Sequence, residues 1–261
     1  MAASPNKTKP VLSAIAARCK PHHRLFAFTL IELLTVVGII TLLVSILIPT
    51  LARAKERSRR VVCRSNIHQF ILGIQSYTLS NKQYFPSGLS DHGLAGSDEH
   101  IPLLSSNIFK LMVKILGDNK VMQCPWLGAP FNKPGGWYYD ERPGYGYVIG
   151  YNYLGGHQGT PWIQTGYTPW KSPQKSTEPS NQPLVTELNT WSPGDRTFAP
   201  HGARGPILRY HKSGTGGGVP SKQVGAVGGN FGLLDGSASW KDIDDMELRK
   251  GSRYGGCYAA W

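Results

Sequence analysis

A long uncharged apolar segment near the N-terminus constrains this chain more than any other feature. No side chain from Leu33 to Ala52 is charged. At about 1.5 Å per residue, a helix of this length spans roughly 30 Å, the thickness of the hydrocarbon core of a bilayer. One acid, Glu32, precedes the segment, and a charged side chain costs about 2.5–3.5 kcal/mol at mid-membrane and less near the interface. We therefore expect residues 28–50 to span a membrane and Glu32 to acquire a partner.

The positive charge of the chain is concentrated on the two sides of this segment. The formal net charge of +12 divides into +5 for residues 1–27, −1 for residues 28–52, +5 for residues 53–64 and +3 for residues 65–261. Basic flanks of an apolar span are typical of contact with an anionic membrane surface. No nucleic-acid partner is therefore expected. The flanks hold five and six Lys or Arg residues, so charge alone does not set the orientation.

The apolar segment continues into a second helical pattern. Apolar and small residues recur at steps of three and four: Leu51, Ala54, Ser58, Val61, Val62, Ser65, Ile67, Phe70, Ile71, Ile74 and Tyr77. This periodicity predicts an amphipathic helix over residues 51–80 that buries one face on a folded domain. Pro49 is predicted to kink the helix, which should end near Ser80 or Asn81. A cleaved signal peptide would have a shorter apolar core and no such continuation.

The composition after residue 80 predicts a β-rich globular head over residues 81–261. Of the 31 glycines, all but Gly38 and Gly73 lie there, which favours short strands separated by turns. Asp235-Gly236 between apolar runs predicts a type I′ hairpin. The fold class is α+β, with an antiparallel sheet packed on the long helix. Predicted strands are Gly146–Tyr153, Pro183–Glu187, Asn230–Leu234 and Ser237–Trp240, and predicted short helices are Ile108–Leu116 and Ile243–Arg249.

The segment Ala27-Phe28-Thr29-Leu30-Ile31-Glu32 resembles the cleavage and methylation site of type IV prepilins and type II secretion pseudopilins. The resemblance implies that prepilin peptidase cuts between Ala27 and Phe28, that residues 1–27 are a cytoplasmic leader, and that Phe28 is then N-methylated. Positions i and i+4 share a helix face, so the new amine of Phe28 would lie beside Glu32. In that family the acid pairs with the N-terminus of an adjacent subunit during assembly, and Pro49 resembles the family's helix-bending proline.

This resemblance implies a pilin-like fold and a structural role in a pilus or a secretion pseudopilus, with no enzymatic activity. The implied partners are the prepilin peptidase/N-methyltransferase, other pilin-like subunits and the inner membrane of a bacterium. The protein would cross that membrane once, with a cytoplasmic N-terminus and a periplasmic head, before joining a periplasmic or surface filament. Whether the filament is a pseudopilus or a true pilus, and whether the subunit is major or minor, stays open.

A second set of motifs resembles a large bacterial group of pilin-like proteins. Its members carry a Cys-x-x-Asn motif with a Gln and a later Tyr, then Cys-Pro, then a His ahead of an Asp-Gly hairpin. The spacer between His and Asp is 23 residues here and is longer than in that group. The resemblance implies a disulfide between Cys63 and Cys124, although free buried thiols are an equal alternative. The residues that match the motifs are Cys63, Asn66, Gln69, Tyr77, Cys124, Pro125, His211, Asp235 and Gly236.

Three other chemical hypotheses arise from the head. Pseudopilins often hold calcium in a C-terminal loop, which suggests Asp235, Asp242, Asp244 and Asp245 as oxygen ligands, although a solvated acidic loop is favoured. No other cofactor or metal is expected. The aromatic stretch from Trp126 to Trp170 could instead bind glycan or DNA in a minor-pilin-like binding module. A membrane-tethered enzyme using His211 and an acid is the third alternative.

Overall fold

The structure, a computed structural model, combines one long helix, one short helix and eleven short strands within the residues it describes, and its fold class is α+β. The chain divides into two compact units, of which the first ends at Pro49 and the second comprises Thr50–Trp261. The described residues are 29–91, 99–127, 146–192, 196–203, 205–210 and 218–261.

Helix α1 comprises Leu30–Ser80 and contains Pro49. Its end at Ser80 confirms the predicted boundary, whereas the kink at Pro49 stays a prediction. The buried side of α1 begins at Cys63, later than the periodicity predicted, and Val61 and Val62 are exposed. In the turns before Cys63, the partly covered side of α1 carries the charged residues Glu56, Arg59 and Arg60. The apolar periodicity therefore predicted the wrong buried side for these turns. The buried residues of α1 are Cys63, Ile67, Phe70, Ile71, Gly73, Ile74 and Thr78.

Helix α2 comprises Ser106–Leu116 and confirms the short helix predicted there. Ser105 caps its N-terminus, because the hydroxyl oxygen accepts the backbone N–H of Ile108 at 3.3 Å. Gly117 ends the helix with a φ of +76°, a left-handed conformation that glycine adopts without strain. Phe109 and Met112 are the buried residues of α2, and they join the core formed by the second half of α1.

The head contains three antiparallel sheets within the described residues, where the sequence predicted one. The strand orders are β1-β2, β10-β11-β5-β6-β7 and β3-β4-β8-β9. The strands are β1 (Leu103–Leu104), β2 (Tyr147–Val148), β3 (Tyr151–Tyr153), β4 (Pro183–Glu187), β5 (Thr190–Ser192), β6 (Arg196–Gly202), β7 (Gly205–Tyr210), β8 (Gly228–Leu233), β9 (Ala238–Asp242), β10 (Leu248–Lys250) and β11 (Tyr258–Ala260).

Strand β4 has the predicted bounds, and β8 and β9 form the predicted hairpin. The turn between them is not type I′, which needs a positive φ at both central residues. Among the described residues only Lys82 and Gln83 combine a side chain with a positive φ, so Asp235 does not. Gly236 has a φ of +89°, and its N–H donates to the carbonyl of Leu233. A tight turn followed by a glycine in the left-handed region explains this pattern.

The strand predicted at Gly146–Tyr153 is divided between two sheets, because β2 pairs with β1 and β3 pairs with β4. Gly150 lies at the break. A Cβ atom there would stand 1.9 Å from the backbone nitrogen of Cys124. Only glycine allows this approach, which positions Cys124 in the core. The helix predicted at Ile243–Arg249 is a single 3-10 turn over Ile243–Asp245, followed by β10.

The second half of α1 packs on the sheet that contains β8. A Cβ atom on Gly232 would lie 2.4 Å from Ile71 and 2.6 Å from Ile67, so the glycine permits close contact between strand and helix. The Gln75 amide donates to the carbonyl of Leu234 at 2.5 Å, and a ring nitrogen of His68 lies 2.6 Å from the carbonyl oxygen of Gly236. These contacts attach the Asp-Gly hairpin to α1.

A second core contains a buried histidine surrounded by tryptophans. His157 lies 2.9 Å from a carboxylate oxygen of Glu99 and 2.8 Å from the carbonyl of Tyr153. The rings of Trp162 and Trp170 meet it edge-on at 5.2 and 6.0 Å. Every polar atom of the His157 ring therefore has a partner, and its role is structural.

Candidate functional site: an exposed apolar helix and a buried polar cluster

We call residues 30–49 the first half of α1 and residues 50–80 its second half. The first half is the one part of the described chain that is long and apolar enough to cross a membrane. Its large side chains are uncovered within its own unit, with Leu30 at 84% and Ile48 at 63% exposure. An exposed apolar surface of this extent marks a region of contact with lipid or with other proteins. The exposed large residues up to the first turn after Pro49 are Leu30, Ile31, Leu33, Leu34, Val36, Val37, Ile39, Ile40, Leu42, Leu43, Val44, Ile46, Leu47, Ile48 and Leu51.

Hydroxyl groups in this segment find their partners inside the helix. Thr35 donates to the carbonyl of Glu32 at 3.0 Å, Thr41 to that of Gly38 at 2.9 Å, and Ser45 to that of Leu42 at 2.7 Å. Such bonds back to the preceding turn satisfy polar groups where no water is at hand. The three hydroxyls are therefore compatible with a lipid environment.

Glu32 forms a capping box with Thr29. The Glu32 carboxylate accepts the Thr29 backbone N–H at 2.9 Å and the Thr29 hydroxyl at 2.7 Å, while the Glu32 N–H donates back to that hydroxyl at 3.2 Å. The Thr-x-x-Glu spacing from Thr29 to Glu32 is the sequence signature of such a box. Ala27 and Phe28 lie outside the described residues, so the pairing of Glu32 with a new N-terminal amine stays a prediction.

The family-motif residues lie on both sides of the contact between α1 and the head. Asn66 and Tyr77 are partly buried on α1, and Gln69 is exposed, with its amide donating to the Ser65 carbonyl at 3.3 Å. Asp235 and Gly236 form the turn that contacts His68. His211 lies outside the described residues.

Cys63 and Cys124 are brought together, as the resemblance implied. Both side chains are fully buried, and they are close enough for each thiol to shift the pKa of the other. Both are free thiols in this structure, and the disulfide itself stays a prediction. Cys257 forms no disulfide within the described residues and is only partly buried.

Beside Cys63 lies a cluster of ionisable groups that the sequence did not predict. One sulfur, one nitrogen and one oxygen, from Cys63, His201 and Glu187, lie within 4.8 Å of one another. The exposures of these residues are 0%, 0% and 1%. Cys63 belongs to α1, Glu187 ends β4 and His201 lies near the end of β6, so three elements that are distant in sequence supply the cluster. We call these three residues the buried polar cluster.

His201 lies between two carboxylates. Its Nδ1 is 2.6 Å from Glu56 Oε1, and its Nε2 is 3.1 Å from Glu187 Oε1. Glu187 also accepts the backbone N–H of Asn230 at 3.0 Å and the Asn230 amide at 2.8 Å. Glu56 forms an ion pair with Arg60 at 3.4 Å. Each carboxylate is therefore held in place by several donors.

The surroundings raise the pKa values of both His201 and Cys63. Burial lowers the pKa of His201, but the hydrogen bonds and negative charges of Glu187 and Glu56 outweigh burial, and the net pKa is raised. The pKa of the Cys63 thiol is raised by its hydrogen bond with Cys124, by burial and by the charge of Glu187. Cys63 is therefore a neutral thiol at neutral pH, a form that is not nucleophilic.

The predicted calcium ligands are engaged elsewhere. Asp235 accepts the backbone N–H of Ser237 at 2.8 Å, and Asp242 accepts the indole N–H of Trp240 at 2.7 Å. Asp244 pairs with Lys222, and Asp245 belongs to the adjoining 3-10 turn. Within the part of the chain that the structure describes, these aspartates do not form a group of three converging carboxylates. A role of calcium stays untested.

The described aromatic residues of the stretch from Trp126 to Trp170 are mainly part of the core. Tyr151, Tyr153, Trp162 and Trp170 are all buried. Trp126 is partly exposed and lies under the Arg59 guanidinium at 4.8 Å. These side chains offer no open stacking surface for bases or sugars. Residues 128–145 of the stretch lie outside the described residues.

Comparison of the chain with protein-family models, with curated proteins and with solved structures gave no match.

Proposed function

We propose that this protein is a structural subunit of a type IV pilus-like or type II secretion pseudopilus-like filament, made as a precursor and cut before Phe28. The observation that carries the proposal is the contrast within α1. Its first half is apolar and exposed, whereas its second half is buried against a folded head. A subunit of this design is anchored by the first half in a bilayer and exchanges lipid contacts for contacts with neighbouring helices on assembly.

The position of Glu32 supports the same proposal. Its carboxylate lies at the N-terminal end of the apolar helix, where the helix dipole favours negative charge. A cut before Phe28 would place an ammonium group four residues before the carboxylate, on the same helix face. The resulting pair neutralises two charges that are costly in an apolar bundle.

Mass spectrometry of the mature N-terminus tests the proposal. The full chain is produced in a bacterial host with and without a prepilin peptidase, and the membrane-bound product is sequenced from its N-terminus. We expect an N-methylated Phe28 terminus only when the peptidase is present. An intact Met1, or a cut after residue 49, in the presence of the peptidase would falsify the proposal.

A Glu32→Gln variant separates processing from assembly. The amide keeps the size of the side chain but cannot neutralise an ammonium group, so we expect normal cleavage and loss of incorporation into filaments sheared from cells. Glu247→Gln is the matched control, because it makes the same change at an exposed position of the second unit, outside the apolar segment. Equal incorporation of the Glu32→Gln variant and the native chain would contradict the assigned role of Glu32.

A further inference from the structure

The buried polar cluster has the donor set of a transition-metal site. A thiol sulfur, an imidazole nitrogen and a carboxylate oxygen lie within 4.8 Å of one another, out of contact with solvent. These are the three ligand types that zinc takes from proteins, at about 2.0–2.3 Å, which puts tetrahedral ligands roughly 3.5 Å apart. We propose that Cys63, Glu187 and His201 bind a zinc-like divalent ion.

The exchange of protons for the metal leaves the charge of the cluster unchanged. His201 faces a carboxylate oxygen at each ring nitrogen and is therefore an imidazolium, and the Cys63 side chain is 0% exposed, which favours the neutral thiol because burial disfavours a charge. On binding, the N–H bond at His201 Nε2 and the S–H bond of Cys63 break, and bonds from the metal to nitrogen, sulfur and the Glu187 oxygen form. Two protons leave for solvent and a dication enters. No uncompensated charge is added to the protein interior.

Neighbouring groups already hold two of the three ligands, His201 and Glu187, in place. Glu56 Oε1 accepts the Nδ1–H of His201 at 2.6 Å, which leaves Nε2 as the coordinating atom. This carboxylate–histidine pairing is the common outer contact of metal-binding histidines. Asn230 fixes Glu187 by donating to both of its oxygens, at 2.8 and 3.0 Å.

The donor set also selects the class of ion. Calcium and magnesium prefer oxygen ligands only, whereas mixed sulfur and nitrogen ligands favour zinc and its neighbours in the transition series. The site would join α1 to the two sheets that contain β4 and β6. Its occupant would therefore act as a structural crosslink between the long helix and the head. Metal binding of this kind adds to folding stability.

Cobalt substitution tests the proposal directly. The full chain is purified in detergent with a thiol reductant, stripped with a chelator and titrated with Co²⁺, and separately with Zn²⁺. We expect about one tightly held Zn²⁺ per chain, because one ligand of each type is present. We also expect a Co²⁺ spectrum with a thiolate charge-transfer band and the visible bands of tetrahedral cobalt.

Variants locate the ion. Cys63→Ser should abolish the thiolate band, and Glu56→Gln should weaken Zn²⁺ binding by about 10–100-fold because it removes the outer contact of His201. Cys257→Ser and His100→Gln are the matched controls, since they change a cysteine and a histidine outside the cluster, and both should bind like the native chain. Far-UV circular dichroism identifies any variant that fails to fold.

Three results would overturn the assignment, and the first needs no variant. The first is a reduced native chain that does not retain stoichiometric Zn²⁺ or that gives a cobalt spectrum without a thiolate band. The second is a folded Cys63→Ser variant that keeps the thiolate charge-transfer band. The third is a disulfide between Cys63 and Cys124, detected by alkylation of the native chain before reduction, because a disulfide removes the thiolate ligand.

Discussion

The two halves of α1 share one secondary structure and have opposite surroundings. From Leu30 to Ile48 the large side chains are exposed, several above 60%, whereas Ile67, Phe70 and Ile71 in the second half are at most 1% exposed. Burial of one such side chain contributes about 1.5–3 kcal/mol. The head therefore stabilises the second half, and the first half needs an apolar environment from elsewhere. Helix formation alone does not say which surface of a helix is functional, but the distribution of burial does.

The largest effect is expected from a cavity in the second half. Ile71→Ala should lower the free energy of unfolding of the full chain in detergent by about 2–5 kcal/mol, because Ile71 is fully buried against Gly232. Denaturant unfolding followed by tryptophan fluorescence measures this.

The neighbouring residue supplies the control for Ile71→Ala. Leu72 is 47% exposed on the same helix, and Leu72→Ala should change the free energy of unfolding by no more than about 0.5 kcal/mol. Similar losses for the two variants would mean that the second half of α1 is not packed on the head as described.

A charge in the first half should affect membrane insertion and leave the fold of the head intact. Ile40→Arg places a guanidinium near the middle of the apolar segment and should disfavour insertion by about 2.5–3.5 kcal/mol. Alkaline extraction of membranes measures the fraction of chain that is integrated.

The same change outside the apolar segment is the control. Leu72→Arg lies on the exposed side of the second half and should leave the integrated fraction unchanged. If Ile40→Arg is integrated as fully as the native chain, the first half of α1 does not span the bilayer.

The smallest effect is expected at the start of the first half. Thr29→Ala removes the capping hydroxyl and should destabilise the first turn by about 1 kcal/mol, which amide exchange in that turn reports as faster rates. Thr35→Ala is the control, since its hydroxyl donates to a carbonyl within the helix and satisfies no free N–H. Equal exchange rates in Thr29→Ala and the native chain would argue against the capping box.

Several elements of the fold followed from local patterns. The end of α1 at Ser80, the helix α2 and the bounds of β4 agreed with prediction because each has a regular period and clear end signals. Strands β1, β5, β6, β7, β10 and β11 were not predicted. All seven residues of β6 are buried, so it lacks the alternation of a one-sided strand, and it also contains polar residues and a proline. Periodicity carries no signal for such a strand.

The residues of the candidate metal site were also only partly predictable from local sequence patterns. Cys63 and Cys124 were singled out by their resemblance to a family motif, but Glu187 and His201 were not, because neither belongs to a local ligand spacing. His201 reaches Glu56 across 145 positions of the chain, through the pairing of β6 in its sheet and the packing of that region on α1. The histidine singled out from the sequence was His211, because it resembles the family's histidine ahead of Asp235-Gly236.

The amino-acid sequence by itself determined the apolar segment, the helix that continues from it and the basic charge on both flanks, because these depend only on nearest neighbours along one helix. The tertiary structure alone decided which side of α1 is buried, how the strands divide into three sheets, and that a thiol, an imidazole and a carboxylate meet in the core. Those outcomes depend on long-range strand pairing and on glycines that admit close approach, as Gly150 does beside Cys124. Local sequence does not encode such contacts, since their free energy arises only when distant segments are packed together.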